Sequence, residues 1–488
     1  MSRTRYMDLH GEEHAVAWST VFKAADRLQA FFNAVGLRFV ERGELLEKLL
    51  YAFMMREHVL IDGPTGAAKS DILDTIMENI TDATVWSMDL TKFTQATHLF
   101  GAFDVRRMKE DGHMVHMTEG SLAEANFAKV GEFFDSSDPT LRTLLGVMNE
   151  RRVRRGPQLI DLPLMTMVAD TNFKPEDMPH RSSQLDAVVD RFLFRHSVSY
   201  VQDPRNRYAM LEMALESSNR SALPKLSLSD VVIVSGVVRA VDLVKDRYVR
   251  EAYQQMTWEF SQARVAHGKP PLSDRRYIRG AQIMEASAIL RGRNMATFDD
   301  LACTIHVLGQ TREDLDLLEE ARHKALEKWV AAAQRREIDK EIHDLETYTK
   351  RMSTPDLTKL THAQLKQLAQ QLITLREEMK QFQPRSIEVR DMHTKALTRI
   401  HETLSAIDLR TIEVLVSHLP QMPEHLDEQH LIQVKRAAQH VENELRVIDP
   451  RSDKAIIAHA QALEMAGRLV ADIETEFSSL GKTPQDAP

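Results

Sequence analysis

Cysteine is almost missing from this chain: Cys303 is the one thiol in 488 residues. That excludes an internal disulfide and a cysteine-based zinc cage, and it fits a reducing, cytoplasmic setting. Glycine (18) and proline (17) are scarce and aromatic residues make up only 6%. Such a composition argues against a sandwich of many short strands and favours long helices. No run of about 18 uncharged apolar residues occurs, so no membrane-spanning helix is expected. The stretch from Met1 to Tyr6 leads into charged residues, without the apolar segment of a secretion signal. Basic charge is not in excess either. Against 63 Lys and Arg stand 72 Asp and Glu, a formal net charge of −9, which gives no general drive toward nucleic acid or anionic lipid. What remains reads as globular, and its length predicts about two to four domains at roughly 100–200 residues each.

Hydrophobic periodicity divides the chain. Amphipathic helices are expected over 13–35 and 42–56, the second carrying Leu45, Leu46, Leu49, Leu50 and Phe53 at helical spacing. From 58 to about 200, short apolar runs alternate with helical stretches, which predicts a parallel sheet with crossovers, an α/β core. Residues 205–310 read as all-helical, with Ser273 a candidate N-cap for a helix ending near Leu290. From about 311 to 480 the chain is charged, Gln-rich and nearly glycine-free. Three apolar stripes run there: Leu365, Leu368, Leu372, Leu375, Met379, Phe382; then Leu431, Val434, Ala438, Val441, Leu445, Ile448; then Leu463, Ala466, Val470, Ile473, Phe477. Their 3,4 spacing predicts a helical bundle or antiparallel coiled coil forming a C-terminal arm, packed within the chain more than against partners. The tail 481–488 is expected to be disordered.

The strongest chemical signal is His58-Val59-Leu60-Ile61-Asp62-Gly63-Pro64-Thr65-Gly66-Ala67-Ala68-Lys69-Ser70. A buried strand leads into a glycine-rich turn, then Lys-Ser, then a helix. Backbone N–H groups of such a turn can cradle phosphates, so Gly63, Pro64, Thr65, Gly66, Ala67 and Ala68 are candidate nucleotide-binding residues. Lys69 would reach the β- and γ-phosphate oxygens, and the Ser70 hydroxyl would ligate Mg²⁺. Ala68 stands where the pattern has its second glycine, a mild change provided that residue keeps φ negative.

From here the chain resembles the MoxR family of AAA+ ATPases, particularly its RavA-like branch. The likeness spans about residues 30–310. It is carried by Phe39-Val40-Glu41-Arg42, the phosphate loop, 144–151 (Leu-Leu-Gly-Val-Met-Asn-Glu-Arg), Ala169-Asp170-Thr171-Asn172, Leu185-Asp186-Ala187-Val188-Val189-Asp190-Arg191-Phe192 and Ser273-Asp274-Arg275-Arg276. The resemblance implies an AAA+ nucleotide-binding subdomain over 1–204 and an all-α lid over 205–310. It implies ATP and Mg²⁺ as ligands. It implies that Glu132 activates water, Asn172 is a first sensor, Arg191 is an arginine finger for the neighbouring subunit, and Arg275 is a second sensor reaching from the lid to the γ-phosphate. A shared site implies a homo-oligomeric ring, hexameric in the family. The commonly associated partner is a von Willebrand factor A domain protein. Residues 97–118 resemble the family's helix-2 insertion and are expected as a hairpin around Asp111-Gly112.

One departure matters. The family's acidic strand ends Asp-Glu, whereas here Gly131 precedes Glu132. The missing carboxylate would normally hold Mg²⁺ through water. Asp170 is the candidate replacement, as a metal-site residue beside Ser70, against the plainer reading of a solvated or capping aspartate; Asp135 is a weaker candidate. Lys129 is an unusual residue for this strand. The run 151–155, with Arg106, Arg107 and Lys109, could line a pore, though such runs are more often solvated turns or subunit contacts. His113 and His116 fall on opposite faces of a predicted strand and make a poor metal pair. Three functions follow in order: an ATP-hydrolysing ring that remodels a client, a nucleotide-gated scaffold with little hydrolysis on account of Gly131, and a nucleic-acid-stimulated motor.

Overall fold

The computed structural model describes residues 3–112, 115–155, 158–173, 188–215, 222–352, 355–422 and 428–479. The chain forms two compact units, Met1–Ala332 and Ala333–Pro488.

The first unit carries strands β1 (Arg3–Met7), β2 (Glu13–Ala17), β3 (His58–Asp62), β4 (Ile80–Thr81), β5 (Val85–Asp89) and β6 (Phe127–Gly131), followed by β7 (Arg152–Arg155), β8 (Gln158–Asp161), β9 (Thr166–Thr171), β10 (Phe192–Ser197) and β11 (Leu226–Ser227). Five of them make a parallel sheet in the order β10-β3-β9-β6-β5. Every position of β3, β6 and β9 is buried, as expected of central strands covered on both faces. Alternation along the strands divides the core. Val59, Ile61 and Val168 join one apolar cluster, while Leu60, Met167 and Ala169 join the other. The expected α/β core with an α-helical lid is therefore present.

Two local expectations fail. Residues 13–17 do not begin a helix: they form β2, antiparallel to β1, and the helix runs Trp18–Gly36. The cause lies far off in sequence. The β1 backbone lies against the helix Leu228–Ala240 at Gly236, where an added Cβ would sit 2.5 Å from the Met7 carbonyl oxygen. The insertion is not a hairpin around Asp111-Gly112 either. Val105–Asp111 is a helix, and the Asp104 side chain accepts from the N–H groups of Arg106 and Arg107 at 2.9 and 3.1 Å. Asp at the cap followed by Arg-Arg-Met-Lys-Glu favours helix, and Gly112 at φ 68° ends it as a C-terminal glycine. A lone antiparallel bridge, Phe103 to His116, closes the segment; His113 lies outside the described residues.

The 151–155 run is also more structured than a solvated turn. Arg152–Arg155 pairs antiparallel with Gln158–Asp161. Arg151 turns inward and donates to the carbonyls of Leu164 (2.8 Å), Met165 (3.4 Å) and Arg56. Burial among other arginines lowers its pKa to about 10. In the lid, Ser273 caps Asp274–Leu290 as expected, and Cys303 is buried.

In the second unit the helices His362–Gln381, Ile387–Ser417, Glu428–Val447 and Asp453–Ser479 pack on one another. Leu365, Leu372, Leu375 and Met379 are buried, as are Leu431, Ala438, Val441, Leu445, Ala466, Ile473 and Phe477. The predicted stripes thus face neighbouring helices of the same chain. The tail 481–488 lies outside the described residues.

Candidate active site

The phosphate loop leaves the C-terminal end of β3 and enters the helix Lys69–Met77. Gly63 packs so closely on Val198 that a Cβ would lie 2.3 Å from its carbonyl oxygen, which excludes any side chain there. Ala68 adopts φ 62°, ψ 22°, the left-handed region. The substitution is therefore not the mild change expected for negative φ; the methyl carries local strain. The loop is held from outside. Arg42 donates to the carbonyls of Ala67 (3.3 Å) and Ser199 (3.0 Å), and the Tyr200 hydroxyl donates to that of Thr65 (2.8 Å).

Lys69 is 5% exposed. Its ammonium donates to the carbonyls of Gly63 (2.5 Å) and Pro64 (3.2 Å) and to Oδ1 of Asn172 (3.0 Å). Asn172 in turn donates from Nδ2 to Oε1 of Glu132 at 2.5 Å. The three side chains form a continuous line from the phosphate loop to the carboxylate. Glu132 sits at φ 47°, ψ 45°, a strained conformation that turns the chain sharply at the end of β6. Lys129, three residues earlier, is buried and pairs with Asp74 at 2.6 Å. It ties β6 to the helix that follows the loop.

Beside this line lies an acidic cluster. Asp170, on β9 between β3 and β6, is 7% exposed, and its Oδ1 has no hydrogen-bond partner among the described residues. Burial raises its pKa to about 6; Lys69 opposes the shift, while Glu132 and Asp89 add to it. Asp89 ends β5 in register with Gly131. A Cβ built on Gly131 would sit 1.9 Å from Oδ1 of Asp89 and 3.4 Å from Oδ1 of Asp170. These are hard anionic oxygens, the donor type that Mg²⁺ takes, so the residues fit that ion.

Arg191 and Arg275 lie elsewhere. Arg191 immediately precedes β10, whose first residue Phe192 pairs with His58 at the start of β3. It is thus at the N-terminal edge of the parallel sheet, whereas the phosphate loop is at the C-terminal edge. Arg275 contacts the same edge: its Nη2 donates to the Arg191 carbonyl (3.4 Å) and lies 3.5 Å from Glu57, the residue before β3. Glu57 also pairs with Arg279 at 3.0 Å. Arg275 therefore lies at the edge of the sheet opposite this chain's own phosphate loop. The adjacent Arg276 is 4% exposed and donates to the carbonyls of Phe192, Leu193 and Val307, a packing role.

The family model for the MoxR domain in the MoxR-vWA-beta-propeller ternary systems matches residues 26–233, and the model for an AAA lid domain matches 248–321. The chain belongs to the MoxR family of AAA+ ATPases. The finer likeness to the RavA-like branch rests on the motifs alone. Among similar proteins, an uncharacterized protein of Methanocaldococcus jannaschii is 25% identical over 59% of this chain and 72% of its own length. The chaperone MoxR1 of Mycobacterium tuberculosis is 24% identical over 54% of this chain and 69% of its own. A crystal structure of a protein from Cytophaga hutchinsonii superposes with a TM-score of 0.50 at 17% identity, covering 62% of this chain and 96% of that one; it shares the fold. No described helix is long and apolar enough to cross a membrane.

Of the expected site residues, the fold gathers Lys69, Glu132, Asp170 and Asn172 with the loop 63–70, and it sets Arg191 and Arg275 apart as a second group. Sequence reasoning missed Asp89 and Glu57, and it named Arg42 as a motif residue without its hold on the loop. Asp89 had one usable signal: a carboxylate at the end of the strand that precedes the insertion.

Proposed function

We propose that this MoxR-family chain binds ATP with Mg²⁺ and hydrolyses it at the contacts between copies of itself in a ring, the cycle serving to remodel a client protein. The observation that carries this reading is the line Lys69–Asn172–Glu132. A module that only bound nucleotide would have no use for a carboxylate held by the same amide that meets the phosphate-loop lysine.

The loop N–H groups and Lys69 receive the phosphates, Lys69 exchanging its carbonyl partners for phosphate oxygens. Glu132 accepts a proton from the attacking water, and Asn172 fixes the orientation of that carboxylate. Ser70 and Asp170 would hold Mg²⁺, which would supply neutralisation of the phosphate charge. Arg191 and Arg275 cannot serve their own chain's loop across the sheet, so they would stabilise the γ-phosphate of a neighbouring copy. This requires a closed ring, six-membered by analogy with AAA+ relatives. The matched family's description supports a von Willebrand factor A domain protein as the client.

Gly131 favours a second reading, a scaffold that binds ATP without turning it over. Steady-state ATP hydrolysis by the purified chain, compared with Glu132→Gln, separates the two. The expected outcome is turnover in the wild type that falls at least about a hundredfold in the variant, with ATP still bound. Wild-type turnover no higher than the variant's would leave the scaffold. The polynucleotide-motor reading loses ground because the half-buried Arg151 donates inward to backbone carbonyls and Arg152 is paired with Asp161 at 2.5 Å.

A further inference from the structure

We propose that the metal-binding carboxylate missing at position 131 has been relocated to Asp89 on the neighbouring strand, so that Asp89 and Asp170 flank one Mg²⁺ position. This rests on the Mg²⁺–ATP reading above and names the residues that hold the ion.

Three observations converge. Asp89, Gly131 and Asp170 lie side by side across the adjacent strands β5, β6 and β9: Asp89 pairs with Gly131, and Val130 pairs with Ala169 one step before. In a parallel sheet, residues at one level project from the same face. Next, the Asp89 carboxylate fills the volume where a side chain at 131 would begin, with Oδ1 at 1.9 Å and Cγ at 3.0 Å from the Cβ position. Real Cβ atoms do not come that close to other atoms, so a carboxylate at 131 and Asp89 in this rotamer are mutually exclusive. The Leu90 N–H to Gly131 carbonyl bond at 2.8 Å holds β5 and β6 in this register. Finally, Asp170 is buried with an unpartnered Oδ1 directed at the same place. An orphaned buried carboxylate oxygen is costly unless something positive or hydrogen-bonding meets it.

The relocation explains two oddities together. Glycine at 131 leaves room for Asp89 in this rotamer, and Asp89 is exposed on the site because it replaces a metal-directed carboxylate. Water-mediated coordination tolerates such a shift, since Mg²⁺ keeps several of its own waters.

The test uses Mn²⁺ as a paramagnetic substitute for Mg²⁺, titrated into the full chain with a non-hydrolysable ATP analogue and followed by electron paramagnetic resonance. Analogue binding is measured in parallel in EDTA. Asp89→Asn is expected to raise the Mn²⁺ dissociation constant about tenfold, because ligand charge sets affinity at such sites. Its metal-free analogue binding should stay within about twofold of wild type, a shift well under the ~1.4 kcal/mol of a tenfold change. Asp89→Gly combined with Gly131→Asp is expected to restore wild-type Mn²⁺ affinity, because it returns the carboxylate to the same volume. Unchanged Mn²⁺ affinity in Asp89→Asn overturns the relocation and leaves the nucleotide site standing. Wild-type protein that binds no analogue, with or without metal, overturns the nucleotide reading and this inference with it.

Discussion

Ala68 shows how much a single position can withhold. The sequence pattern places it at a phosphate-loop glycine, and only the backbone angle decides whether its methyl matters. At φ 62° it carries a cost that glycine would not, so Ala68→Gly should stabilise the chain by about 1 kcal/mol. Urea unfolding would register this as a higher midpoint at an unchanged slope; a lower midpoint would place Ala68 outside the left-handed region. Lys129 makes the same point from the other side. It is an anomaly in a buried strand until its partner Asp74 is seen 2.6 Å away on the helix after the loop.

The lid helix Asp274–Leu290 was legible from its Ser273 cap and its apolar spacing, but its buried glutamate was not. Glu285 is 8% exposed and accepts from the Leu243 N–H at 3.0 Å. Burial raises its pKa to about 7; the Leu243 hydrogen bond opposes the shift and Asp242 adds to it. A carboxyl whose folded pKa exceeds its unfolded value favours the folded state below the unfolded pKa. That contribution is lost as pH rises through the folded value, here between about 4.5 and about 7. Glu285→Gln keeps the accepting oxygen. It should flatten the melting temperature across that window and raise stability at pH 8 by at most about 3 kcal/mol. Melting curves from pH 4 to 8 that superpose for the two proteins would rule this out. The insertion and the start at 13–17 were misread for a related reason. Local pattern could not weigh the Asp104 cap against an Asp-Gly turn, nor know that β1 rests on Gly236.

At the scale of the whole molecule, the separation of the two groups decides how the proposed ring would work. Lys69 and Glu132 sit at one edge of the sheet and Arg191 with Arg275 at the other. Lys69→Ala and Arg191→Ala should each abolish hydrolysis alone. Mixed in equal amounts, they should recover roughly a quarter of the wild-type rate, since in random closed rings one interface in four joins the two intact halves. A mixture as inactive as its components would mean that both residues act on one chain's nucleotide.

The phosphate loop, the alternation of strands and helices in the α/β core, the capped lid helix and the three apolar stripes were open to inspection in the chain itself. Each depends on neighbours within a few residues, where spacing and propensity act directly. The acidic motif was legible only as a loss at Gly131, and Asp170 only as a nearby candidate. That Asp89 fills the vacated volume, that Asn172 joins Lys69 to Glu132, and that Arg275 sits beside Arg191 on the far edge were decided by tertiary structure. Strand register and sheet order bring together residues whose separation along the chain carries no trace of their distance in space.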